Sequence, residues 1–326
     1  MTNLGVVIVT YNAADVIRDC LETLLSSGHP MDVLVIDNAS TDGTTQSLAN
    51  WYHGVDDYTP PTDLPFDVVP VPKPTKDITV IESSVNGGFA AGVNIGIRHL
   101  LAKPNIDRIW ILNPDTLVPP NAPAAFANAP SGFSLMGGRI LYASDPHCVQ
   151  TDGGTINRWS GVTGNLNLGR RQDAPMANIA DAEFISGASM VASRAFIEQS
   201  GTMCEDYFLY YEEVDWAMKR GPLPLAFCPD ATIYHRAGTA IGSPTLTQIA
   251  SPFSTYYKYR ARMMFLRKFY PMFRPIGYLY AAAKAAQFLL KGHNPQVMAI
   301  LRAINGLKRS TDKAAQSGHQ PIQRRT

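Results

Sequence analysis

The sequence predicts an α/β protein: a mostly parallel sheet flanked by helices, followed by a helical C-terminal segment. Residues 5–115 alternate short β-branched apolar runs with stretches of helical periodicity. Strand and helix in that alternating order argue for a parallel sheet with right-handed crossovers. After Ser251 the chain becomes basic, aromatic and helical in pattern.

Taken in order, Gly5 to Val9 is a buried strand ending in Thr10-Tyr11-Asn12, and Ala14 to Leu25 carries the apolar spacing of a helix. Met31 to Ile36 is a second strand ending at Asp37. Residues 38–44, Asn-Ala-Ser-Thr-Asp-Gly-Thr, supply turn and capping side chains, and a helix follows to Trp51. Ile78 to Ile81 is a third strand. Asn86-Gly87-Gly88 then turns into a helix reaching about Leu101, and Arg108 to Leu112 is a fourth strand ending in Asn113-Pro114-Asp115. Ligands of such sheets bind at the carboxyl ends of the strands, and Thr10, Asp37, Asn86 and Asp115 all fall at that edge. Residues 55–77, with six prolines, break the pattern and read as an irregular surface excursion. Strands are expected near Leu135 and Met190, a short one over Ala231 to Tyr234, and a helix start rich in carboxylates over 208–220.

Composition removes several classes of function. With 45% apolar and 17% charged residues the chain is neither disordered nor a coiled coil. The longest apolar helical run, Tyr278 to Leu290, is interrupted by Lys284 and is too short to span a bilayer. No basic segment precedes an apolar one at the N-terminus, so no secretory signal is expected and a cytoplasmic location is. The four cysteines, Cys20, Cys148, Cys204 and Cys228, lack metal-binding spacing and read as reduced, structural thiols. The net charge of +1 hides a partition: residues 1–250 hold 14 basic against 26 acidic side chains, residues 251–326 hold 14 against one.

Four constellations could carry chemistry, each with a plainer alternative. Asp115 at a strand exit can face a divalent cation, or Asn-Pro-Asp can be an ordinary turn. Glu212, Glu213 and Asp215 crowd three acids among Phe208, Tyr210, Tyr211 and Trp216, which raises the pKa of at least one and suits a general base. The same acids also suit the first turn of a helix. His235 follows a strand and could be a ligand or a packed bystander. The glycines of residues 86–96 permit close approach of a ligand, or simply of another backbone; they form neither a Walker loop nor a GxGxxG fingerprint.

Together, VVIVTYN (6–12), VIDNASTDGT (35–44), NGGFAAGVNIGI (86–97), LNPD (112–115), FISGASMVASRAF (184–196), FLYYEEVDW (208–216) and IYH (233–235) resemble family 2 glycosyltransferases, closest to the bacterial rhamnosyltransferase-like branch. The resemblance covers roughly residues 4–240. It implies a GT-A fold, with a nucleotide-binding half and an acceptor half around one sheet, and an inverting transfer from a nucleotide-diphospho-sugar. It implies that Thr10, Tyr11, Asn12 and Asp37 meet the base and ribose, with Asn86 and Gly88 bordering the nucleotide. It implies that Asp115 is the last acid of a metal-binding DxD motif, with Asn113 where the first acid usually stands, and that His235 lies near the metal and diphosphate. Glu213 matches the general base, with Glu212 and Asp215 as supporting acids. The cofactor implied is Mg²⁺ or Mn²⁺. The favoured donor is dTDP-L-rhamnose, a UDP-hexose or hexosamine being the alternative, and the acceptor a surface glycan or polyprenyl-diphosphate-linked glycan.

The division expected is a catalytic domain over 1–245, a basic amphipathic helical region over 246–310, and a disordered tail over 311–326. The basic region reads either as a solvated cap or as a peripheral surface for the inner face of the cytoplasmic membrane, where basic residues beside aromatic ones suit anionic headgroups. It carries no recognised nucleic-acid module, and no nucleic-acid partner is expected. Outside the enzyme class, a non-catalytic nucleotide-sugar-binding subunit remains, which would have no need of Glu213, Asp115 and His235 together. A sugar-1-phosphate nucleotidyltransferase would need a glycine- and arginine-rich loop where Thr10-Tyr11-Asn12 stands.

Overall fold

A computed structural model describes residues 3–55, 58–72, 78–237 and 249–307. The expected tail over 311–326 lies outside the described residues, as do parts of the 55–77 excursion.

The first half follows the expected alternation: β1 (Asn3–Thr10), α1 (Ile17–Leu25), β2 (Met31–Asp37), α2 (Thr44–His53), β3 (Ile78–Glu82), α3 (Phe89–Leu101) and β4 (Ile106–Leu112). β1 pairs in parallel with β2 and β4, and β2 with β3. The two-residue period of β1 explains its unbroken apolar run. Val7 and Val9 pack with Val93, Ile97 and Leu100 of α3 on one face, while Leu4, Val6 and Ile8 meet Ile17, Leu21 and Leu24 of α1 on the other.

The second half is mixed. It runs β5 (Thr116–Leu117), α4 (Ala122–Asn128), β6 (Leu135–Tyr142), β7 (Asp145–Thr151), β8 (Gly154–Asn157), β9 (Val162–Asn165), β10 (Ser189–Ser193), α5 (Arg194–Ser200), α6 (Glu212–Met218) and β11 (Ala226–His235). The nine-stranded sheet has the order β3-β2-β1-β4-β10-β6-β11-β5, with β7 on β6; β8 and β9 form a separate hairpin. β10 is antiparallel to both β4 and β6, and β11 is parallel to β6. The strand expected at Ala231 to Tyr234 therefore extends over ten residues, and the carboxylate-rich helix is shorter than 208–220.

Three helices follow among the described residues: α7 (Pro252–Phe269), α8 (Arg274–Leu290) and α9 (Asn294–Ile304). Ser251 caps α7 by accepting from the Ser254 N–H, and Pro252 occupies the first turn, where its missing N–H costs nothing. Ala261 and Phe265 of α7 are buried in the core that also holds Trp216, while Tyr256, Tyr257 and Tyr259 pack with α8 and α9. All four cysteines are free thiols, as expected.

The proline-rich excursion contains no helix or strand within its described part, 58–72. It is nonetheless tied down. Tyr58 donates its hydroxyl to Asp19 at 2.9 Å, and Val71 N–H donates to Glu22 at 3.1 Å. Asp19 also receives Arg236 at 2.6 Å, so α1, the excursion and the residue after His235 share one carboxylate.

Candidate active site

A cavity of about 280 Å³ opens at the carboxyl edge of β1 and β4. Of the residues singled out from the sequence, Tyr11, Asn86, Gly88, Asn113, Asp115, Glu212, Glu213 and His235 line it.

At the same carboxyl edge, Thr10 and Asp37 end adjacent parallel strands in register. Thr10 Oγ1 and Asp37 Oδ1 are both buried without a hydrogen-bond partner among the described residues. Two orphaned polar atoms side by side are costly unless a ligand satisfies them. Asp37 Oδ2 accepts from the Ser40 N–H at 3.0 Å. Asn12 turns elsewhere. It adopts a left-handed backbone (φ 50°), and its side-chain oxygen accepts from the Thr41 N–H at 2.8 Å, locking the two strand-exit loops together.

Gly88 sits at φ 90°, and a Cβ there would collide with the Phe208 carbonyl oxygen. The close approach is used. Phe89 N–H donates to that same carbonyl at 3.0 Å, and the Asn38 side chain donates to Gly88 O at 2.9 Å. The carboxyl edge of these strands is thereby hydrogen-bonded to the loop that leads into Glu212 and Glu213.

Asp115 and His235 lie 120 residues apart and are brought together by the antiparallel pairing of β5 with β11, His235 opposite Thr116. His235 Nε2 is 3.1 Å from Asp115 Oδ1, and both side chains are nearly buried. His235 Nδ1 is 2.9 Å from Gln150 Oε1 on β7, which also lines the cavity. In the tautomer whose Nδ1–H donates to Gln150, the Nε2 lone pair points towards Asp115. A carboxylate and an imidazole lone pair at that separation repel unless a cation joins them, and adjacent corners of an octahedral ion with bonds near 2.1 Å are about 3 Å apart. The donor set fits Mg²⁺ or Mn²⁺, whose remaining positions suit phosphate oxygens and water. Among the described residues no third His, Cys, Asp or Glu joins the pair. Asn113, half-buried, donates its backbone N–H to Ala188 at 3.0 Å.

Across the cavity, α6 starts from two consecutive left-handed residues, Tyr210 (φ 67°) and Tyr211 (φ 70°). Each such non-glycine position costs on the order of 1–3 kcal/mol and persists only where its surroundings hold it. Here they do. Tyr210 Oη bonds Ser254 Oγ at 2.6 Å, Tyr211 Oη donates to Gly161 O at 2.6 Å, and Arg262 Nε donates to Tyr211 Oη at 3.1 Å. The Arg262 guanidinium is buried between the rings of Tyr259 and Tyr280, 4.6 and 4.9 Å from their centroids.

That entry sets the acids. Burial pushes the Glu213 carboxyl up to about 7, against the pull of backbone N–H groups at the helix start and of the Lys258 ammonium. Burial, then the charge of Glu213, lifts Glu212 well above the ordinary carboxylate range, and its Oε2 has no hydrogen-bond partner among the described residues. Lys258 is itself drawn down to about 8, by burial first and by Arg262 second. Asp215 stands apart from the cavity: its carboxylate holds Lys268 at 2.6 Å and Lys219 at 3.2 Å, fastening α7 to α6.

Gln150, Lys258 and Arg262 were not singled out from the sequence. Nothing around Gln150 marks it. Lys258 and Arg262 lie four residues apart, on the flank of α7 that also carries Ala261 and Phe265, a spacing that a helical projection would have shown. The aromatic and basic alternation of α7 is thus largely internal rather than a solvated or lipid-facing stripe.

Residues 5–129 match the family model described as glycosyl transferase family 2. The low-salt glycan biosynthesis hexosyltransferase Agl10 of Haloferax volcanii is 25% identical over 58% of this chain, and the match spans only 60% of that relative. The N-acetylglucosaminyl-diphospho-decaprenol L-rhamnosyltransferase of Mycobacterium tuberculosis is 23% identical over 79% of this chain and 84% of its own. Among solved structures, the mannosyltransferase PcManGT of Pyrobaculum calidifontis, in complex with GDP-Man and Mn²⁺, superposes with a TM-score of 0.52 and 16% identity, covering 95% of this chain and 77% of that one. GalNAc-T7 with UDP, GalNAc and Mn²⁺ gives a TM-score of 0.52 at 12% identity, covering 97% and 58%.

Proposed function

We propose, from the match of residues 5–129 to the family 2 glycosyltransferase model and from the GT-A fold, that the chain is an inverting glycosyltransferase with Glu213 as general base. The observation that carries this reading is a half-buried carboxylate titrating at about 7 in the same cavity as the Asp115–His235 pair. A base should titrate near the working pH and sit within reach of the proton it takes.

In the proposed reaction an acceptor hydroxyl oxygen attacks the anomeric carbon while its proton passes to Glu213. The bond from that carbon to the phosphate oxygen breaks, its electron pair leaves with the nucleoside diphosphate, and direct displacement inverts the centre. Asp115 and His235 would hold Mg²⁺ or Mn²⁺, which when bound supplies Lewis-acid stabilisation of the departing diphosphate. Thr10 and Asp37 offer their unsatisfied oxygens to the nucleotide; Tyr11, Asn86 and Gly88 border it. Glu212, whose carboxyl is raised well above the ordinary range by burial and by the neighbouring Glu213 charge, stands beside it as a supporting acid.

For the donor we favour dTDP-L-rhamnose, and for the acceptor a glycan on a polyprenyl diphosphate, because the mycobacterial relative is named for rhamnosyl transfer to such a lipid. The haloarchaeal relative's hexosyltransferase name keeps a nucleotide-diphospho-hexose as the second reading. The test is calorimetric titration of dTDP, UDP and GDP with and without Mn²⁺, followed by turnover of the matching sugar nucleotide. Metal-dependent binding of dTDP alone and a product of inverted configuration are expected. A folded protein that binds no nucleotide would sink the transferase reading.

A further inference from the structure

The outward face of α8 is apolar from end to end. Gly277, Ala281 and Ala285 are buried against the neighbouring helices, leaving Ile276, Leu279, Ala283, Ala286 and Leu290 as a stripe that repeats every three or four residues. Leu279 is 70% exposed and Leu290 90%. Apart from Tyr278, the exposed polar side chain on the helix is Gln287, while Lys284 is half-buried and lies back over the Tyr280 ring. The preceding turn adds Met272, 78% exposed, and α9 adds Met298 and Leu301. Isolated exposed apolar residues are ordinary. A continuous stripe along one helix is not, and marks an interaction surface.

Charge says what the surface meets. Residues 249–307 contain nine Lys and Arg and no Asp or Glu. Lys258, Arg262 and Lys268 are turned to the body of the protein, which leaves Arg274 and Lys291 bracketing α8, with Arg260 and Arg267 nearby. No described helix is long and apolar enough to cross a membrane. An apolar helix face with cations at both ends and no anion suits the headgroup boundary of an anionic bilayer, the leucines entering the acyl region and the cations meeting the phosphates. We propose that α8 is an interfacial membrane-docking helix that lies in the plane of an anionic lipid surface. The cap is therefore two-sided: α7 walls the cavity through Phe253, and α8, packed on α7, faces the lipid.

This deepens the lipid-linked acceptor reading, on which it rests for its purpose. Flotation measures lipid binding with neither donor nor acceptor present, so either reading can fail while the other stands. The full chain is floated with vesicles of phosphatidylglycerol in phosphatidylcholine, and with phosphatidylcholine alone, at low and high salt. The expected result is flotation with the anionic vesicles at low salt, reduced about tenfold or more by the double substitution Leu279→Glu with Leu290→Glu. Both changes are at exposed positions, and circular dichroism and nucleotide titration verify that the variant is folded. Absence of wild-type flotation at low salt, or equal flotation of the variant, overturns the proposal. So does a concentration-dependent dimer that the double substitution dissolves without any lipid binding, since α8 would then be the interface between two copies.

Discussion

Arg262 Nε donates to Tyr211 Oη at 3.1 Å, so a side chain from the C-terminal helices holds the left-handed residue immediately before Glu212. The bond spans 51 residues and makes α7 part of the catalytic wall. Arg262→Lys keeps the charge but loses the planar contact with two tyrosines and the fixed donor geometry. The expected outcome is a fall in kcat of about 10-fold or more from misplacement of Glu213, with nucleotide affinity unchanged. Steady-state kinetics set beside nucleotide titration check it.

Glu213→Gln keeps shape and hydrogen-bonding capacity while removing the base. Transfer should drop on the order of 10²-fold or more with nucleotide binding retained; near-normal turnover would remove Glu213 from the role. In the unaltered protein kcat/KM should rise with pH through about 7, as Glu213 loses its proton. Lys258 stabilises the ionised form, so Lys258→Met should move that limb to higher pH. An unmoved limb would mean that another group titrates.

The acids also govern stability. Glu212 and Glu213 both have folded-state pKa values above the ordinary 4.5. At pH values above 4.5 and up to about 7 the folded protein holds protons that the unfolded chain has released, so stability falls as pH rises across that window. Glu212→Gln needs no proton to stay neutral and should flatten the fall. Urea midpoints at the two ends of the window measure it; an equal slope in both proteins would contradict the upward shift of Glu212.

Gln150 touches the His235 imidazole and would not itself ligate a metal held by that ring. Losing the partner that fixes a ligating ring commonly weakens metal binding 10–100-fold. Gln150→Ala should do so for Mn²⁺ in the presence of nucleoside diphosphate, read by electron paramagnetic resonance of free Mn²⁺. His235→Ala should weaken it further, and unchanged binding in Gln150→Ala would leave Gln150 a bystander.

Much of this was legible in the residues, and the gaps have physical causes. β1, β2 and β4 announced themselves because strands buried on both faces are unbroken apolar runs, and they end at or next to Thr10, Asp37 and Asn113, which carry an unsatisfied or cavity-facing polar group. The acids of 212–215 stood out as a cluster, but their division of labour did not. Glu213 faces the cavity and Asp215 faces lysines because of a two-tyrosine left-handed entry that no propensity signals. The basic helices were seen as a surface feature. Which of their cations turn inward depends on contacts with Tyr211, Glu213 and Asp215, far away in sequence. Gln150 sits in an edge strand with no motif around it, and only pairing geometry brings it to His235.

The antiparallel strand β10 has a consequence for synthesis. β6 is made before β10 but lies beyond it in the sheet, so β6 and everything paired to it cannot dock until β10 has emerged. β1 to β4 need no such wait, since their pairings close within the first stretch of chain. A growing polypeptide therefore assembles the strand ends bearing Thr10 and Asp37 while Glu213 is still untranslated, and gains Lys258 and Arg262 last of all. The strand ends proposed to meet the nucleotide and the acid proposed as base are therefore completed at different moments in the life of the same molecule.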